Sequence, residues 1–409
     1  MNNDNKDNKK QAKILKTISK TNKKALILLF VFITIFVSII LFIFYYFFRS
    51  ELHTSKKDDR ELYFSILFIN ENEIPYGAYI GVVSSLHNRI GLVGLPKNTG
   101  LWVNGDKNKR SVSLERLYKD GGSKSVFNSI EGTIEKKLSY TMTIKAKEFS
   151  DIVDIFGGVD MYVESPINFT NNGYELSFDV GIWPFQGNKA LAYLNYTTIS
   201  GYESFEVLYR LEDILINAMI SIIQSPELKS IMHSSSFRRK IFSKVRSNLR
   251  PPDIKSLFNI LANVNEGSLI IEALDARIDG RGVLEPILNG SALIKQLDNM
   301  ALYVGLKTQR SEINNEDINV IVLNATDVSG LADRINIRMR YRGFLAGEYG
   351  NFPYAKLKES VVLIRDGQIE KAFKVARECR ISKVYSSTDR RVLNNAVLIL
   401  GNDYYEIKR

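Results

Sequence analysis

A stretch of 24 residues without a charge, Ala25 to Phe48, is the strongest constraint on what this chain can be. A helix of that length rises about 36 Å, enough to cross a hydrocarbon core of about 30 Å with some tilt. The stretch ends in two tyrosines and three phenylalanines, residues 44–48, which is typical of a membrane interface. The sequence therefore predicts a single N-terminal transmembrane helix at residues 25–48.

The charges on either side of this helix predict its orientation. Residues 1–24 carry eight Lys and two Asp, a net charge of +6, whereas residues 49–61 hold four basic and four acidic side chains. The positive-inside rule therefore predicts a cytoplasmic basic tail (1–24), a short extracytoplasmic stalk (49–61) and a single-pass type II protein of the cell membrane. The alternative is a cleaved secretory signal, whose apolar part is usually about 7 to 15 residues and ends at a small-x-small site.

Composition excludes several classes of function. The chain of 409 residues has a net charge of +10, and the tail accounts for +6, which leaves +4 (10 − 6) for the rest. No basic stripe with interleaved aromatics remains outside the tail, so no nucleic-acid partner is expected. The single cysteine, Cys379, excludes an internal disulfide and is expected to be buried. The three histidines share no metal-ligand spacing, which argues against a zinc site.

After the stalk, the hydrophobic pattern predicts an α/β domain over residues 62–307. Short apolar runs bounded by Asn, Glu, Pro and Gly are typical of buried strands, and apolar positions at helical spacing indicate helices between them. The predicted strands are Leu62–Ile69, Tyr79–Val83, Arg89–Leu95 and Met161–Val163. The predicted helices are Phe149–Phe156, ended by Gly157-Gly158, and a long one from about Tyr202 through Ile223.

The pattern restarts after a polar linker at residues 308–317 and predicts a second, small α/β domain over residues 318–409. About 90 residues are enough for independent folding. Its predicted strands are Ile318–Leu323, Val361–Ile364, Val384–Ser386 and Ala396–Leu400. Its predicted helices run through Leu331, Ile335 and Met339 and from Ile369 to Arg380.

Three stretches of the larger domain, in the right order, resemble motifs of one family. Residues 90–99, IGLVGLPKNT, resemble a strand that ends in Ile-Pro-Arg-Asp-Thr. Residues 149–160, FSDIVDIFGGVD, are close to a helix followed by Gly-Gly-Val-Asp, and residues 187–193, GNKALAY, match Gly-x-x-Ala-Leu-x-Tyr. Together they resemble the LytR-CpsA-Psr (LCP) family of bacterial envelope proteins. Residues 320–326, 330–332, 343–344 and 400–404 resemble the LytR C-terminal domain that many members carry.

The resemblance implies a central mixed sheet and an extracytoplasmic phosphotransferase. Such enzymes move a glycopolymer from a polyprenyl pyrophosphate carrier onto peptidoglycan and hold the lipid in an apolar tunnel. The chemistry uses Mg²⁺ on acidic residues and several arginines on the pyrophosphate, because both stabilise the charge of the transferred phosphoryl group. The implied partners are the membrane, a polyprenyl-phosphate lipid or envelope glycan, and peptidoglycan.

The sequence departs from the family pattern at the residues that carry this chemistry. Lys97 and Asn98 replace the Arg and Asp of the first motif, which keeps one cation but loses the bidentate fork. The Arg-x-Arg expected after Tyr193 is absent, and the expected Asp before the second strand is missing. Arg210 is the one cation of the following motif that remains. We expect Lys97 and Arg210 to contact pyrophosphate, with Glu203 as the acidic candidate for a metal.

Both cations also have an interpretation without a function. Lys97 would then be a solvated surface lysine, and Arg210 an exposed helix cation paired with Glu206 at i, i+4. Two functions therefore remain open. One is a working glycopolymer transferase that uses Mg²⁺. The other is a non-catalytic envelope protein that binds the lipid, the glycan or another protein. Direct transcriptional regulation is not expected, because the 24-residue tail holds no helix-turn-helix.

Overall fold

The computed structural model describes residues 31–32, 34–39, 50–103, 111–171, 173–198, 202–274, 276–278, 284–286, 291–305 and 313–406. The predicted tail (1–24) and most of the predicted transmembrane segment (25–48) lie outside these residues. Within the described residues, no helix is both long enough and apolar enough to span a bilayer. The transmembrane helix therefore stays a prediction.

The larger sheet has six strands in the order β11-β6-β1-β2-β3-β12. Neighbours β1 and β2 run antiparallel, whereas β1 and β6, and β3 and β12, run parallel, so the sheet is mixed, as the family resemblance implies. The strands before residue 300 are β1 (Leu62–Ile69), β2 (Pro75–Ser84), β3 (Arg89–Pro96), β4 (Gly100–Leu101), β5 (Val112–Ser113), β6 (Tyr140–Lys145), β7 (Val159–Val163), β8 (Ile167–Asn171), β9 (Tyr174–Phe178), β10 (Gly181–Phe185), β11 (Arg246–Ser247), β12 (Leu269–Ala273), β13 (Ala276–Ile278) and β14 (Leu284–Pro286).

Both faces of this sheet are covered by helices. Successive side chains of a strand point to opposite faces, and in β1 Phe68 joins one hydrophobic cluster while its neighbours Leu67 and Ile69 join another. Burial on both faces explains why these strands are nearly continuous apolar runs. The helices of this part are α1 (Glu51–Asp58), α2 (Leu114–Ile134), α3 (Ala146–Phe156), α4 (Gly187–Leu194), α5 (Glu203–Gln224), α6 (Pro226–Met232), α7 (Ser235–Phe242), α8 (Pro251–Ala262) and α9 (Ser291–Gly305).

The predicted end of α3 is confirmed. Gly157 follows the helix with φ of +99°, in the left-handed region that favours glycine, and its N–H donates to the carbonyls of Asp154 and Val153. The chain then turns directly into β7. This is the turn that the Gly157-Gly158 pair predicts.

The smaller sheet has five strands in the order β16-β15-β19-β17-β18. It contains β15 (Asn319–Asn324), β16 (Leu345–Asn351), β17 (Val361–Ile364), β18 (Val384–Ser386) and β19 (Ala396–Leu400), with helices α10 (Leu331–Tyr341), α11 (Ile369–Cys379) and α12 (Asp403–Glu406). Cys379 is buried, as predicted, with its Sγ 3.6 Å from Met339 Sδ. The proposed division at residues 308–317 stays a prediction, because part of that linker is outside the described residues.

The predicted stalk needs a correction. Residues 51–58 form the helix α1, and Leu52 is buried in the same cluster as Phe68. The backbone N–H of Glu51 donates to Asp253 Oδ1 at 2.7 Å, and the carboxylate also accepts from Tyr140 Oη at 2.9 Å. The polar composition of the segment hides this, because the helix is held by one leucine, by the Asp253 carboxylate at its start and by the buried Ser55, whose Oγ lies 3.2 Å from Ser85 Oγ.

The two sheets belong to one compact unit, residues 51–249 and 253–409. Helix α5 joins them, because it packs against β2 and β3 of the larger sheet and against β18 of the smaller one. The rings of Tyr162 and Tyr385, one from each part, stack with centroids 6.2 Å apart. The hydrophobic cluster of α5 also runs without a break into the smaller sheet.

Gly367 gives the first prediction, because it lies where the C-terminal part contacts the rest. Its φ is +79°, and an added Cβ would overlap the backbone oxygen of Ile271 and approach Glu212 Oε1 to 2.5 Å. Gly367→Ala should therefore destabilise the protein by about 1–3 kcal/mol, measured by chemical unfolding. Gly350→Ala is the matched control, since its Cβ would meet no atom within 4 Å. Equal stability of the two variants would contradict this packing.

Candidate functional site

Helix α5 carries a strip of buried polar side chains in addition to its apolar residues. Leu208 and Leu211 face the core, as the helical pattern predicts. The buried polar side chains of the same helix are Glu206, Glu212, Asp213 and Asn217. Buried carboxylates need hydrogen-bond or ion-pair partners, so this strip determines what packs beside the helix.

Arg210 lies in a slot between two aromatic rings. Its guanidinium carbon is 4.8 Å from the ring centroid of Tyr193 and 5.0 Å from that of Tyr196. Nη1 donates to Tyr193 Oη at 3.2 Å, and Nε donates to the carbonyl of Tyr196 at 3.4 Å. Burial acts to lower the pKa of Arg210, but Tyr193 and Asp213 outweigh it and the net shift is upward. The guanidinium is therefore charged.

The expectation of an exposed Arg210 paired with Glu206 does not hold. Arg210 is only partly exposed, and Glu206 is 7% exposed. The Glu206 carboxylate instead accepts from the N–H of Thr198 at 2.8 Å and from its hydroxyl at 2.6 Å. Helical spacing alone suggested the i, i+4 pair, but the loop after α4 takes the carboxylate.

A chain of hydrogen bonds connects Arg210 to the C-terminal part. Tyr193 Oη accepts from Arg210 and donates to Asp213 Oδ2 at 3.1 Å. Asp213 Oδ1 accepts from Ser386 Oγ at 2.8 Å and from the N–H of Thr388 at 2.7 Å. Burial raises the pKa of Asp213, opposed by the Thr388 backbone bond, the Arg210 charge and the Ser386 bond. One buried carboxylate thus holds both the tyrosine beneath Arg210 and the segment after β18.

The neighbouring carboxylate, Glu212, makes a second connection. It is 3% exposed and pairs with Arg390, which also donates to the carbonyls of Ile271 at 2.9 Å and Asp366 at 2.8 Å. Burial raises the pKa of Glu212 to about 7, against the opposing charge of Arg390. Two successive acidic residues of α5 are therefore matched by donors from residues 386–390.

A cavity of about 210 Å³ opens beside Arg210, and both parts of the chain line it. Its walls include Tyr193, Tyr196 and Tyr209. Its charged lining consists of Arg210, Arg365, Arg391, Glu164, Glu206 and Asp389. Cations, carboxylates and aromatic faces together can hold a polar ligand that has both a charged group and an apolar or sugar portion.

The carboxylates of this cavity already have partners. Glu164 receives a two-pronged bond from Arg365 Nη2, at 2.6 and 2.7 Å. Asp389 accepts from Arg391 Nε at 2.7 Å and Nη2 at 2.8 Å. Glu206 is bonded to Thr198. Within the described ranges, no group of three His, Cys, Asp or Glu side chains is placed to hold a metal. Each of these three carboxylates is already bonded to another side chain.

The other predicted site residues lie apart from this cavity. Lys97 directly follows the last residue of β3, and its side chain is 40% exposed. Its Nζ lies 3.8 Å from the Glu115 carboxylate. Lys97 is not among the described residues that line the cavity. Glu203 is exposed in the first turn of α5. The start of α5 does approach the end of β3, since Ser204 Oγ is 3.2 Å from Asn98 Oδ1. Of the three predicted residues, Arg210 alone is placed in this cavity.

The cavity residues from the C-terminal part are not among the site residues that the sequence predicts. Arg365, Asp389 and Arg391 lie more than 150 positions after Arg210, in turns after β17 and β18. The cluster Asp389-Arg390-Arg391 after a buried strand was the available signal, but charged turns are common on surfaces. Its role follows only from the packing of residues 386–390 on α5.

Two family models match this chain. The model of the LytR_cpsA_psr family matches residues 79–316, and the model described as "LytR cell envelope-related transcriptional attenuator" matches residues 317–404. A curated relative, the polyisoprenyl-teichoic acid–peptidoglycan teichoic acid transferase TagU of Bacillus subtilis, is 27% identical over 106 residues. That match covers 26% of this chain and about a third (33%) of the relative's length.

One of two similar solved structures supports the same fold. The crystal structure of Bacillus subtilis TagV superposes with a TM-score of 0.50 at 13% identity, over 61% of this chain and 99% of that one. The LytR-Csp2A-Psr enzyme from Actinomyces oris gives 0.47 at 16% identity, over 57% and 89%. Identities this low bear on the fold only, and the second score is too low to add weight. Since the family model spans more than half of the chain, the chain belongs to the LytR-CpsA-Psr family and carries a LytR C-terminal domain.

Proposed function

We propose that this protein binds the phosphate linkage of a polyprenyl-linked envelope glycopolymer in the cavity at Arg210. The observation that carries the proposal is the state of the Arg210 guanidinium. It has five N–H donors and uses two of them in the described part of the chain, to Tyr193 and Tyr196. Within that part it has no ion pair with a carboxylate. A charged group with unused donors beside a cavity is suited to an anion.

The aromatic walls support the choice of a lipid-linked glycan over a simple inorganic ion. Tyr193 and Tyr196 flank the guanidinium, and Tyr209 lines the same cavity. Aromatic faces pack well against sugar rings and isoprenoid units, while the guanidinium takes the phosphate between them. The name of the relative TagU, a polyisoprenyl-teichoic acid–peptidoglycan teichoic acid transferase, points to the same class of ligand.

The proposed location is the outer face of the cell membrane, with residues 25–48 as the anchor and the N-terminus in the cytoplasm. An anchored domain stays beside a ligand whose lipid remains in the bilayer. The proposal is supported by the charge-free stretch and the +6 tail.

In spheroplasts, added protease should degrade the part after residue 50 and leave an N-terminal fragment. Full protection of the chain would contradict this topology.

Transfer to peptidoglycan is the second candidate, favoured by the TagU relationship. In that case the protein would use Mg²⁺ and pass the glycopolymer to peptidoglycan, with Glu203 as the acidic candidate for the metal and Lys97 as a further cation. The carboxylates of the cavity argue against it, because Glu164, Glu206 and Asp389 are each bonded to another side chain. Binding without transfer is the function that this geometry supports best.

Loss of Arg210 should weaken ligand binding. Titration of the full chain in detergent with farnesyl pyrophosphate, followed by calorimetry, should show binding about tenfold weaker for Arg210→Ala, since a charge-assisted hydrogen bond contributes about 1.5–3 kcal/mol. Arg210→Lys should be intermediate, because it keeps the charge and loses the fork. The control is Arg116→Ala, an exposed arginine paired with Asp120. If Arg210→Ala binds like Arg116→Ala, the cavity is not the phosphate site.

An assay of transfer separates the two candidates. With a polyprenyl-pyrophosphate-linked glycan, peptidoglycan and Mg²⁺, the full chain should give no product above that of Arg210→Ala, because the described cavity offers no unengaged carboxylate for a metal. Product that requires both Mg²⁺ and Arg210 would establish the transferase and refute binding alone.

A further inference from the structure

A second arginine of the cavity, Arg391, comes from the C-terminal domain. We propose that Arg391 faces the same ligand as Arg210, so that a pyrophosphate or other ligand with two phosphoryl groups is held between two domains. This inference rests on the proposed function, since it assumes that Arg210 binds phosphate. It assigns to the LytR C-terminal domain a direct part in ligand binding.

Three residues just before Arg391 are bonded to α5. The N–H of Thr388 donates to Asp213 Oδ1 at 2.7 Å, and Arg390 pairs with Glu212. Asn217 Oδ1 also accepts from the N–H of Ser386 at 2.8 Å. Because Arg210, Glu212 and Asp213 belong to one helix, the backbone of Arg391 is fixed relative to Arg210. Both side chains line the same cavity.

Arg391 differs from the other arginines of this region in its exposure. The side chain of Arg390 is 15% exposed. It pairs with Glu212 and donates to the carbonyls of Ile271 and Asp366. The side chain of Arg365 is 11% exposed. It pairs with Glu164 and donates to the carbonyl of Ser387. Both stabilise the domain contact. Arg391, in contrast, is 52% exposed at its side chain and lines the cavity.

The bonds of Arg391 leave part of its guanidinium available. Nε and Nη2 donate to Asp389, two residues earlier in the same turn. Nη1 makes no hydrogen bond within the described part of the chain. Asp389 thus orients the guanidinium and also competes with an anion for it. The pKa of the Asp389 carboxyl is lowered. Burial acts to raise this pKa, but the hydrogen bonds from Arg391 outweigh burial.

Two guanidinium groups that line one cavity, one from each domain, suit a ligand with two phosphoryl groups. Each fork can bond one phosphoryl group, as paired arginines do with pyrophosphate and phosphodiesters. A single phosphate can satisfy Arg210 alone. The arrangement therefore predicts that Arg391 favours pyrophosphate over phosphate, a discrimination that a merely structural arginine would not provide.

The test compares inorganic pyrophosphate and inorganic phosphate as probes of the full chain by calorimetry. Arg391→Ala should weaken pyrophosphate binding about tenfold and change phosphate binding less than about twofold. Asp389→Asn should tighten pyrophosphate binding, and this gain should disappear in the Asp389→Asn/Arg391→Ala double variant. The matched control is Arg377→Ala, which removes the pair with Glu266, a contact between the same two domains outside the cavity.

Each outcome decides a separate claim. If Arg210→Ala loses pyrophosphate binding while Arg391→Ala behaves like Arg377→Ala, the proposed function stands and the two-domain site is refuted. If inorganic pyrophosphate does not bind, or binds equally to Arg210→Ala, the inference is refuted. The proposed function fails as well if farnesyl pyrophosphate also binds equally to Arg210→Ala. Equal loss of phosphate and pyrophosphate in Arg391→Ala would also refute the inference, because it indicates a structural effect.

Discussion

Two successive buried carboxylates on one helix, Glu212 and Asp213, determine how the rest of this protein is arranged. A carboxylate removed from water is costly unless it is paired or well hydrogen-bonded. Apart from Tyr193, which donates to Asp213, the partners are Arg390, Ser386 and Thr388, from a segment more than 170 positions away. The C-terminal domain is therefore required to satisfy α5, and without it both carboxylates would be left without these partners.

The same helix carries the candidate ligand-binding cation. Arg210 precedes Asp213 by one turn, and Tyr193 bonds both of them. Since Asp213 is also bonded to Ser386 and Thr388, the position of the guanidinium depends on the docking of the second domain. The proposed ligand site and a domain interface that stabilises the fold thus share one hydrogen-bond network. This explains why the cavity is lined by residues of both domains.

Most of the elements that the sequence predicts are present, because their signals are local. The strands Leu62–Ile69, Val361–Ile364 and Ala396–Leu400 match their apolar runs, and Gly157 ends α3 as expected. Helix α2 was not predicted, because Gly121 and Gly122 interrupt it with non-helical backbone angles. The stalk was misjudged because one buried leucine among polar residues gives no periodic signal.

The site was only partly predictable for a physical reason. Arg210 could be singled out by its place in a motif, but its aromatic slot and its partners depend on contacts between distant segments. Lys97 also belongs to a motif, yet the structure pairs it with Glu115 at the surface. Arg391 and Asp389 lie in a charged turn that resembles many solvent-exposed turns. Only the pairing of residues 386–390 with α5 shows that this turn reaches the cavity.

The most direct measurement is a double-mutant cycle across the domain contact, with Glu212→Gln, Arg390→Met and the double variant, followed by chemical unfolding of the full chain. If the buried pair holds the two domains together, the two changes should couple by roughly 1.5 kcal/mol or more. The exposed pair of Glu266 and Arg377 should couple by less than about 1 kcal/mol. Changes at Glu212 and Arg390 that add within about 0.5 kcal/mol would contradict the account.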